Sequence, residues 1–306
     1  AFGSMLVYTI AFALSLVFDI DAHARRLRTH GFTVLPDAGL DGALVASAMS
    51  ECTQSLAEDL AMVSKLGLDP VEHAYSFSEV CHRDRCRWDM RVKDAGSVAS
   101  LTAAAVSTVK PIINRLHTIP LPPHSIQSGV IISRNGSDEQ SFHMDASPGH
   151  RRLASLIPGH RLFNVFIPLV DIEEDGDGTQ FWPGSHRARG QYHRFRQALR
   201  RSGSIEDDME AMAEMRAPAC PAGGIVLFDY RLFHRGLANA ARERPVAYAV
   251  CSTGFAWDGM HNFPALSLHD ACASMPVEQE ALLQTQQLVQ DSTPLWEDLW
   301  CRRSEL

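Results

Sequence analysis

Two histidines and one aspartate are the residues of this sequence best suited to holding a metal ion. His143 and Asp145 stand two positions apart in the segment Ser-Phe-His-Met-Asp. Because side chains alternate along a strand, positions two apart share a face, and both groups would point to one side. His234 lies in a later segment that is also predicted to be a strand. Two histidines and one carboxylate leave coordination positions open, which suits non-haem Fe(II).

The His-x-Asp spacing alone is weak evidence, because the chain has 14 histidines and contains a second example. His82 and Asp84 form that second pair, and they lie among Arg83, Arg85 and Arg87. Cationic neighbours oppose the binding of a cation. We therefore expect this second pair to belong to a surface or lid loop. For the first set of residues, a hydrogen-bonded core cluster without metal is the alternative interpretation.

An arginine follows the second histidine at a distance that would place it in the same interior. Arg244 lies ten positions after His234, at the head of the next predicted strand. A guanidinium there would face the metal residues and could bind a carboxylate through two parallel hydrogen bonds. A structural ion pair is the alternative role.

The second half of the chain is predicted to supply the strands that position these residues. Segments with alternating apolar residues recur at near-regular spacing between Gly and Pro turns, as in a sandwich or barrel. The insertion at 188–215 is charged and is predicted to be helical, lying across or beside the barrel. The predicted strands are 125–133, 140–145, 162–170, 179–182, 224–229, 232–235 and 245–255.

The first half of the chain is predicted to be mainly helical, with one early strand at 32–35. Gly31 would end the first helix, and Asp41 would cap the second. We expect one domain over 1–306, with a core at about 125–255, a helical N-terminal part at 1–124 and a helical C-terminal tail at 256–306. The predicted helices are 21–29, 41–65, 97–116 and, in the tail, 277–299.

Composition bounds the class of protein. The chain has 306 residues, of which 45% are hydrophobic and 21% charged, and this excludes disordered and low-complexity classes. The net charge of −8, with no basic stripe, argues against a nucleic-acid partner. The seven cysteines are an odd number and widely spaced, so we expect reduced thiols and a cytoplasmic location.

An apolar run at 5–18 leaves an alternative for the location. It is shorter than the roughly 20 residues that a membrane-spanning helix needs. It also lacks the flanks of a secretory signal peptide. We expect a buried strand or helix and no stable membrane insertion. A trimmed targeting segment, and with it an organelle, is the alternative.

Taken together, these residues resemble the phytanoyl-CoA hydroxylase-like (PhyH) family of Fe(II)/2-oxoglutarate-dependent dioxygenases. Their order and spacing agree with that family over about 125–255, and the combination is far more specific than any single motif. The resemblance rests on the His143–Asp145 pair, the strand 164–171, the Pro-Gly-Ser-His turn within 178–186, His234, Asn239 and Arg244 with the proline after it.

The resemblance implies a mainly β fold with flanking helices around a double-stranded β-helix (jelly-roll, cupin-like) core. His143, Asp145 and His234 would be the catalytic residues and the Fe(II) ligands. Arg244 would bind the distal carboxylate of 2-oxoglutarate, and O2 would be the oxidant. Halogenating relatives replace the carboxylate ligand by Gly or Ala, so the intact aspartate disfavours halogenation. Further co-substrate contacts carried over from the family are Thr179, Gln140 and Asn164.

The implied activity is oxidation of a small organic molecule by hydroxylation, desaturation or cyclisation, with release of succinate and CO2. Two alternatives are a hydroxylase of protein or peptide side chains and a non-catalytic jelly-roll binding protein. The sequence indicates neither the identity of the substrate nor the oligomeric state.

Candidate substrate residues follow from strand alternation. Arg87, Asp89 and Arg91 would share one face of a strand, although a solvated edge strand fits the same pattern. Tyr248 would share the face of the carboxylate-binding arginine, either in the pocket or in the core. Trp182 would be a pocket wall or a core residue. An acyl-CoA substrate would favour a basic mouth, for which the candidates are Arg83, Arg85, Arg87 and Arg91.

Overall fold

The computed structural model describes residues 19–92, 95–117, 123–157, 159–187, 191–254, 256 and 263–273. The predictions for the apolar run at 5–18 and for the tail helix at 277–299 lie outside the described residues. Within them, the chain forms one large and one small antiparallel sheet with helices packed around them.

Seven strands form the large sheet, and all their pairings are antiparallel. They are β1 (Phe32–Leu35), β2 (Val80–Asp84), β3 (Arg87–Arg91), β4 (His124–Ser133), β5 (Arg161–Pro168), β7 (Ile225–Asp229) and β9 (Arg244–Thr253). Their order across the sheet is β1-β7-β5-β9-β4-β3-β2. The small sheet pairs β6 (Thr179–Phe181) with β8 (His234–Gly236).

The helices confirm most of the predicted helical segments. Asp41 caps the second helix by accepting a hydrogen bond from the backbone N–H of Ala43, as its position predicted. The charged insertion is helical and forms two separate helices. The helices are α1 (Ile20–His30), α2 (Gly42–Lys65), α3 (Ser97–Asn114), α4 (Pro148–Leu156), α5 (Gln191–Ser202), α6 (Met209–Glu214) and α7 (Leu268–Ala273).

The two faces of the large sheet have different surroundings, because side chains alternate between the faces along each strand. Odd-numbered residues of β5 and β9, such as Val165 and Ala249, are fully buried in the main core with α2 and α3. Even-numbered residues of the same strands, such as Asn164 and Tyr248, line an internal cavity. The outer face therefore supports the fold, and the inner face is available for chemistry.

The large sheet extends well beyond the predicted core at 125–255. Three of its seven strands, β1 to β3, come from the part predicted to be mainly helical. Strand β3 lies between β2 and β4, so the alternative of a solvated edge strand at 87–91 is wrong. The surface or lid loop predicted for His82 and Asp84 is also wrong, because both residues lie in β2. His82 is half-buried, with its ring stacked on that of Tyr75.

The strand predicted at 140–145 does not form. Within it, only His143 pairs with another strand, through an isolated bridge to His234. The strand predicted at 232–235 is shifted, since β8 begins at His234. The helical insertion packs beside the small sheet, where Ala198 and Ala211 are buried with Trp182 and Phe233.

The six described cysteines are free thiols, which agrees with the expectation of a reduced protein. Burial raises the pKa of Cys52 to about 11, so this thiol is protonated at neutral pH. Among the described residues, no helix combines the length and the apolar character needed to cross a membrane.

Gly31 joins α1 to β1 at a point where no side chain fits. Its φ of 87° is in the left-handed region, and its N–H donates to the carbonyl of Leu27, which ends the helix. A Cβ atom placed on Gly31 would lie 2.5 Å from His186 Nδ1 and 2.6 Å from Leu232 Cδ1. The glycine therefore satisfies both a conformational and a packing requirement.

We expect Gly31→Ala to lower the free energy of unfolding by about 3 kcal/mol, from the left-handed conformation together with the buried clash. Urea denaturation would measure this loss. Gly39→Ala is the matched control, because Gly39 has a φ of 70° with nothing within 4 Å of its Cβ position. The control should lose only about 1 kcal/mol. Equal losses in both variants would show that the contacts with His186 and Leu232 are not restrictive.

Candidate active site

His143, Asp145 and His234 converge as the sequence predicted. Their ligand atoms all lie within 4.8 Å of one another, and they are the only group of this kind among the described residues. His143 Nε2 is 3.8 Å from Asp145 Oδ1, and His234 Nε2 is 3.6 Å from Oδ2 of the same carboxylate. Two nitrogens and one carboxylate oxygen thus face a common point, a donor set that suits a divalent transition metal.

Backbone hydrogen bonds, and not a regular strand, hold the segment that carries the first two of these residues. His143 N–H donates to the carbonyl of His234 at 2.9 Å, and His234 N–H donates back at 2.8 Å. Ala146 N–H donates to the carbonyl of Tyr230 at 3.1 Å. The segment is therefore fixed on both sides of Asp145.

Both imidazoles are oriented with Nε2 toward the carboxylate. His143 Nδ1 lies 2.9 Å from the carbonyl oxygen of Ser141, and His234 Nδ1 lies 3.0 Å from that of Leu232. Because a carbonyl can only accept, each Nδ1 carries the proton and each Nε2 keeps its lone pair for a metal. Desolvation and the neighbouring His234 lower the pKa of His143, so its ring is neutral at pH 7.

Asn164 contacts the carboxylate member of this group. Its Nδ2 donates to Asp145 Oδ2 at 2.5 Å from strand β5, and the side chain is buried. The sequence placed Asn164 among the co-substrate contacts, a role that stays a prediction. The structure gives it a second role, which is to fix the orientation of the carboxylate.

Arg244 is a buried cation with an incomplete set of partners. It is 6% exposed, and its Nη1 lies 3.8 Å from Asp177 Oδ1 without a hydrogen-bond partner among the described residues. Burial lowers the pKa of Arg244 to about 10, and Asp177 offsets this only in part. The guanidinium still carries its charge at neutral pH, so an anion that enters the site would find an unsatisfied donor.

The three candidate metal ligands and Arg244 line one cavity of about 620 Å³ between the two sheets. Its size is in the usual range for a small-molecule site. Most of the predicted site residues line it, and they come from both sheets and from the segment between β4 and α4. They are His143, Asp145, His234, Arg244, Thr179, Gln140, Asn164, Arg87, Asp89 and Tyr248.

Trp182 and Arg91 do not line this cavity, so the structure does not bring them together with the other predicted site residues. Trp182 is buried beside Phe233, and its Nε1 donates to Glu214. Arg91 is exposed at the end of β3. Strand alternation gave the correct face, but the strand leaves the cavity before its last residue.

Two polar residues connect the cavity wall to the metal-binding segment. Gln140 Oε1 accepts a hydrogen bond from the backbone N–H of Gly236 at 3.0 Å. Arg87 Nη2 donates to the carbonyls of Asp138 and Leu237 at 2.8 and 3.0 Å. Both residues therefore help to hold the segment before His143 against β8.

Sequence reasoning named Arg83 only as a candidate for a basic mouth and missed Asp84 as a cavity residue. Both line the cavity from the end of β2, where the register with β3 shifts between His82 and Asp84. The charges in this segment suggested a solvated loop. The signal that was available is the pair of buried residues before them, Val80 and Cys81, which begin the strand.

Residues 27–245 match the phytanoyl-CoA dioxygenase (PhyH) family, and this range is more than half of the chain. The chain belongs to this family. The resemblance found in the sequence is confirmed, and the protein is a non-haem iron, 2-oxoglutarate-dependent enzyme.

Solved structures show the same fold at low sequence identity. AviO1 from Streptomyces viridochromogenes Tue57 is 16% identical, with a TM-score of 0.51 over 78% of this chain and 97% of its own. The non-haem α-ketoglutarate-dependent epimerase SnoN of nogalamycin biosynthesis is 17% identical, with a TM-score of 0.53 over 81% and 93%.

HygX from Streptomyces hygroscopicus, solved with nickel, 2-oxoglutarate and hygromycin B bound, is 14% identical. Its TM-score is 0.53 over 81% of this chain and 98% of its own. These likenesses confirm the predicted jelly-roll core with flanking helices.

We expect Asn164→Ala to weaken binding of Co(II), a redox-stable probe, by about tenfold, because partners of metal-ligating carboxylates typically contribute this much. Isothermal titration would measure the affinity. Thermal unfolding of the metal-free protein is the control, since a purely structural role would lower stability and leave the affinity unchanged. An affinity equal to that of the wild type would contradict a role for Asn164 in orienting Asp145.

Proposed function

We propose that this enzyme oxidises a small organic molecule, with Fe(II) held by His143, Asp145 and His234 and with 2-oxoglutarate held by Arg244. One observation carries the proposal. Three ligand atoms within 4.8 Å and a buried, unsatisfied guanidinium line one cavity. A metal explains the first feature and a carboxylate explains the second.

The donors fit the metal in both chemistry and protonation state. Each Nε2 lone pair faces the carboxylate, and each Nδ1 is bound to a backbone carbonyl. Three protein ligands leave the remaining positions for co-substrate and oxygen. When bound, Fe(II) and 2-oxoglutarate supply oxidation of a substrate C–H bond by O2, with release of succinate and CO2.

The chain's own residues position the co-substrate. Arg244 offers parallel N–H donors to a carboxylate, an arrangement that a lysine would not reproduce. Thr179 lines the cavity from the small sheet and would add a hydroxyl contact. Phe181 and Val226 line the cavity as apolar walls, which would exclude water from the co-substrate.

A small molecule suits the cavity better than a protein side chain. The cavity is lined by the inner faces of two sheets, and buried residues such as Asp89 and Tyr248 form part of its wall. HygX, which shares the fold, was solved with hygromycin B bound. Hydroxylation, desaturation and cyclisation all remain open as outcomes, since fold does not decide among them.

Anaerobic addition of Fe(II) and then 2-oxoglutarate to the apo-protein should produce a visible metal-to-ligand charge-transfer band. Asp145→Ala should weaken the band, because it removes one of three metal ligands. A folded wild-type protein without the band would contradict the proposed cofactor pair.

Arg244→Ala should keep metal binding and weaken 2-oxoglutarate by about tenfold to a hundredfold, the loss expected for a charge-assisted bidentate contact. Titration of the same band with 2-oxoglutarate would give the affinity. Arg242→Ala is the matched control, because Arg242 is exposed and lies two residues away. Equal affinities in the wild type and Arg244→Ala would assign the carboxylate to another residue.

A further inference from the structure

A second polar cluster lines the cavity on the large sheet, apart from the residues assigned to metal and co-substrate. Its members are Arg83 on β2, Asp89 on β3 and Tyr248 on β9. Arg83 Nη2 donates to Asp89 Oδ2 at 2.9 Å, and Tyr248 Oη donates to Asp89 Oδ1 at 3.0 Å. Gln127 Nε2 donates to Tyr248 Oη at 3.3 Å. We refer to Arg83, Asp89 and Tyr248 as the polar platform.

The sheet is shaped to assemble this platform. Gly129 on β4 pairs with Tyr248, and a Cβ atom on Gly129 would lie 2.5 Å from the tyrosine ring. Without a side chain at this position, the ring lies across β4 and reaches Asp89 on the next strand. On the other side, the register shift between β2 and β3 occurs at Arg83. The absence of a side chain at Gly129 and the register shift at Arg83 thus both allow the contacts with Asp89.

Burial of the Asp89 carboxylate is costly for folding alone. The Asp89 side chain is 4% exposed, and the Arg83 side chain is 34% exposed. An apolar pair of similar size would usually be as stable or more stable at such a position. A buried carboxylate that lines a ligand cavity beside a partly exposed arginine therefore indicates a role in binding.

The charges on the platform indicate what it binds. Arg83 and Asp89 neutralise each other, so the unit attracts neither a free anion nor a free cation strongly. It does present N–H donors beside carboxylate lone pairs. A hydroxyl group donates and accepts at once, and it matches this combination.

Three of the four arginines predicted for a basic mouth have a carboxylate within 4 Å. Arg83 is paired with Asp89, and Arg87 lies 3.6 Å from Asp84. Arg85 is exposed and paired with Glu72. At these three positions, the polyanionic end of an acyl-CoA substrate would meet an arginine that already has a carboxylate neighbour, whereas Arg91 is exposed.

We propose that the polar platform is the substrate subsite and that the substrate is a neutral, hydroxyl-rich molecule, docked through a hydroxyl group on Arg83 and Asp89. This inference rests on the proposed function, because the platform shares the cavity with His143, Asp145 and His234. It adds the chemical class of the substrate and the residues that select it.

Saturation-transfer NMR on the protein loaded with Zn(II) and 2-oxoglutarate tests the proposal, with methyl α-D-glucopyranoside and myo-inositol as probes. We expect transfer to the probes in the wild type. Arg83→Leu should weaken their binding by about tenfold, as expected when a hydrogen bond to a charged group is lost. Arg85→Leu, two residues away and outside the cavity, should bind the probes as the wild type does.

Removal of Arg83 alone leaves a buried carboxylate without its ion-pair partner, which could unfold the protein. The double variant Arg83→Leu/Asp89→Leu removes both charges and keeps the test valid. Absence of transfer in the wild type, or equal binding in the double variant, would overturn the proposal. Octanoyl-coenzyme A that binds in place of both polyols would also overturn it.

The charge-transfer band with Fe(II) and 2-oxoglutarate, recorded in the same variants, separates this proposal from the proposed function. A band that persists in the double variant, together with lost polyol binding, supports the substrate subsite. A wild type without the band contradicts the cofactor assignment, whereas the NMR result still decides whether the platform binds hydroxyl groups.

Discussion

The reciprocal backbone pairing of His143 with His234 is the contact on which the candidate site depends. The two residues exchange hydrogen bonds of 2.9 and 2.8 Å, although no regular strand surrounds the first of them. This bridge fixes the two residues relative to each other, and the adjacent carbonyls of Ser141 and Leu232 orient the rings. Asp145 follows two residues later and is held by Asn164 from the opposite sheet. The site is therefore built from residues of both sheets and of the segment between β4 and α4.

The features that the sequence predicted correctly are those determined by period and local chemistry. Alternation placed Asp89, Arg244 and Tyr248 on the cavity side of the large sheet, and the structure puts all three there. The caps at Asp41 and Gly31 were also readable, since each reflects a local hydrogen bond. The three candidate metal ligands come together in the structure, as the resemblance to the family implied.

The features that failed depend on contacts between distant parts of the chain. Segment 140–145 was predicted to be a strand, but within it only His143 forms a bridge, to His234 of the three-residue strand β8. Strand β2 was mistaken for a loop because its charged residues suggested solvent, whereas Arg83 is matched by a carboxylate on the neighbouring strand. Arg91 follows the correct alternation and lies past the edge of the cavity. Strand pairing and the extent of the cavity depend on tertiary structure, which the alternation of residues in the sequence does not determine.

The distribution of charge along the inner face follows from cross-strand register. Arg87, Ser133 and Arg244 are neighbours in one row across β3, β4 and β9, which makes that end of the cavity positive. One row further, Asp89 pairs with Ile131, and its carboxylate is directed to Arg83 and Tyr248. A dianionic co-substrate is favoured at the first row and has no such advantage at the second. The register of three strands thus separates the end of the cavity that holds Arg87 and Arg244 from a polar end where Asp89 is paired with Arg83.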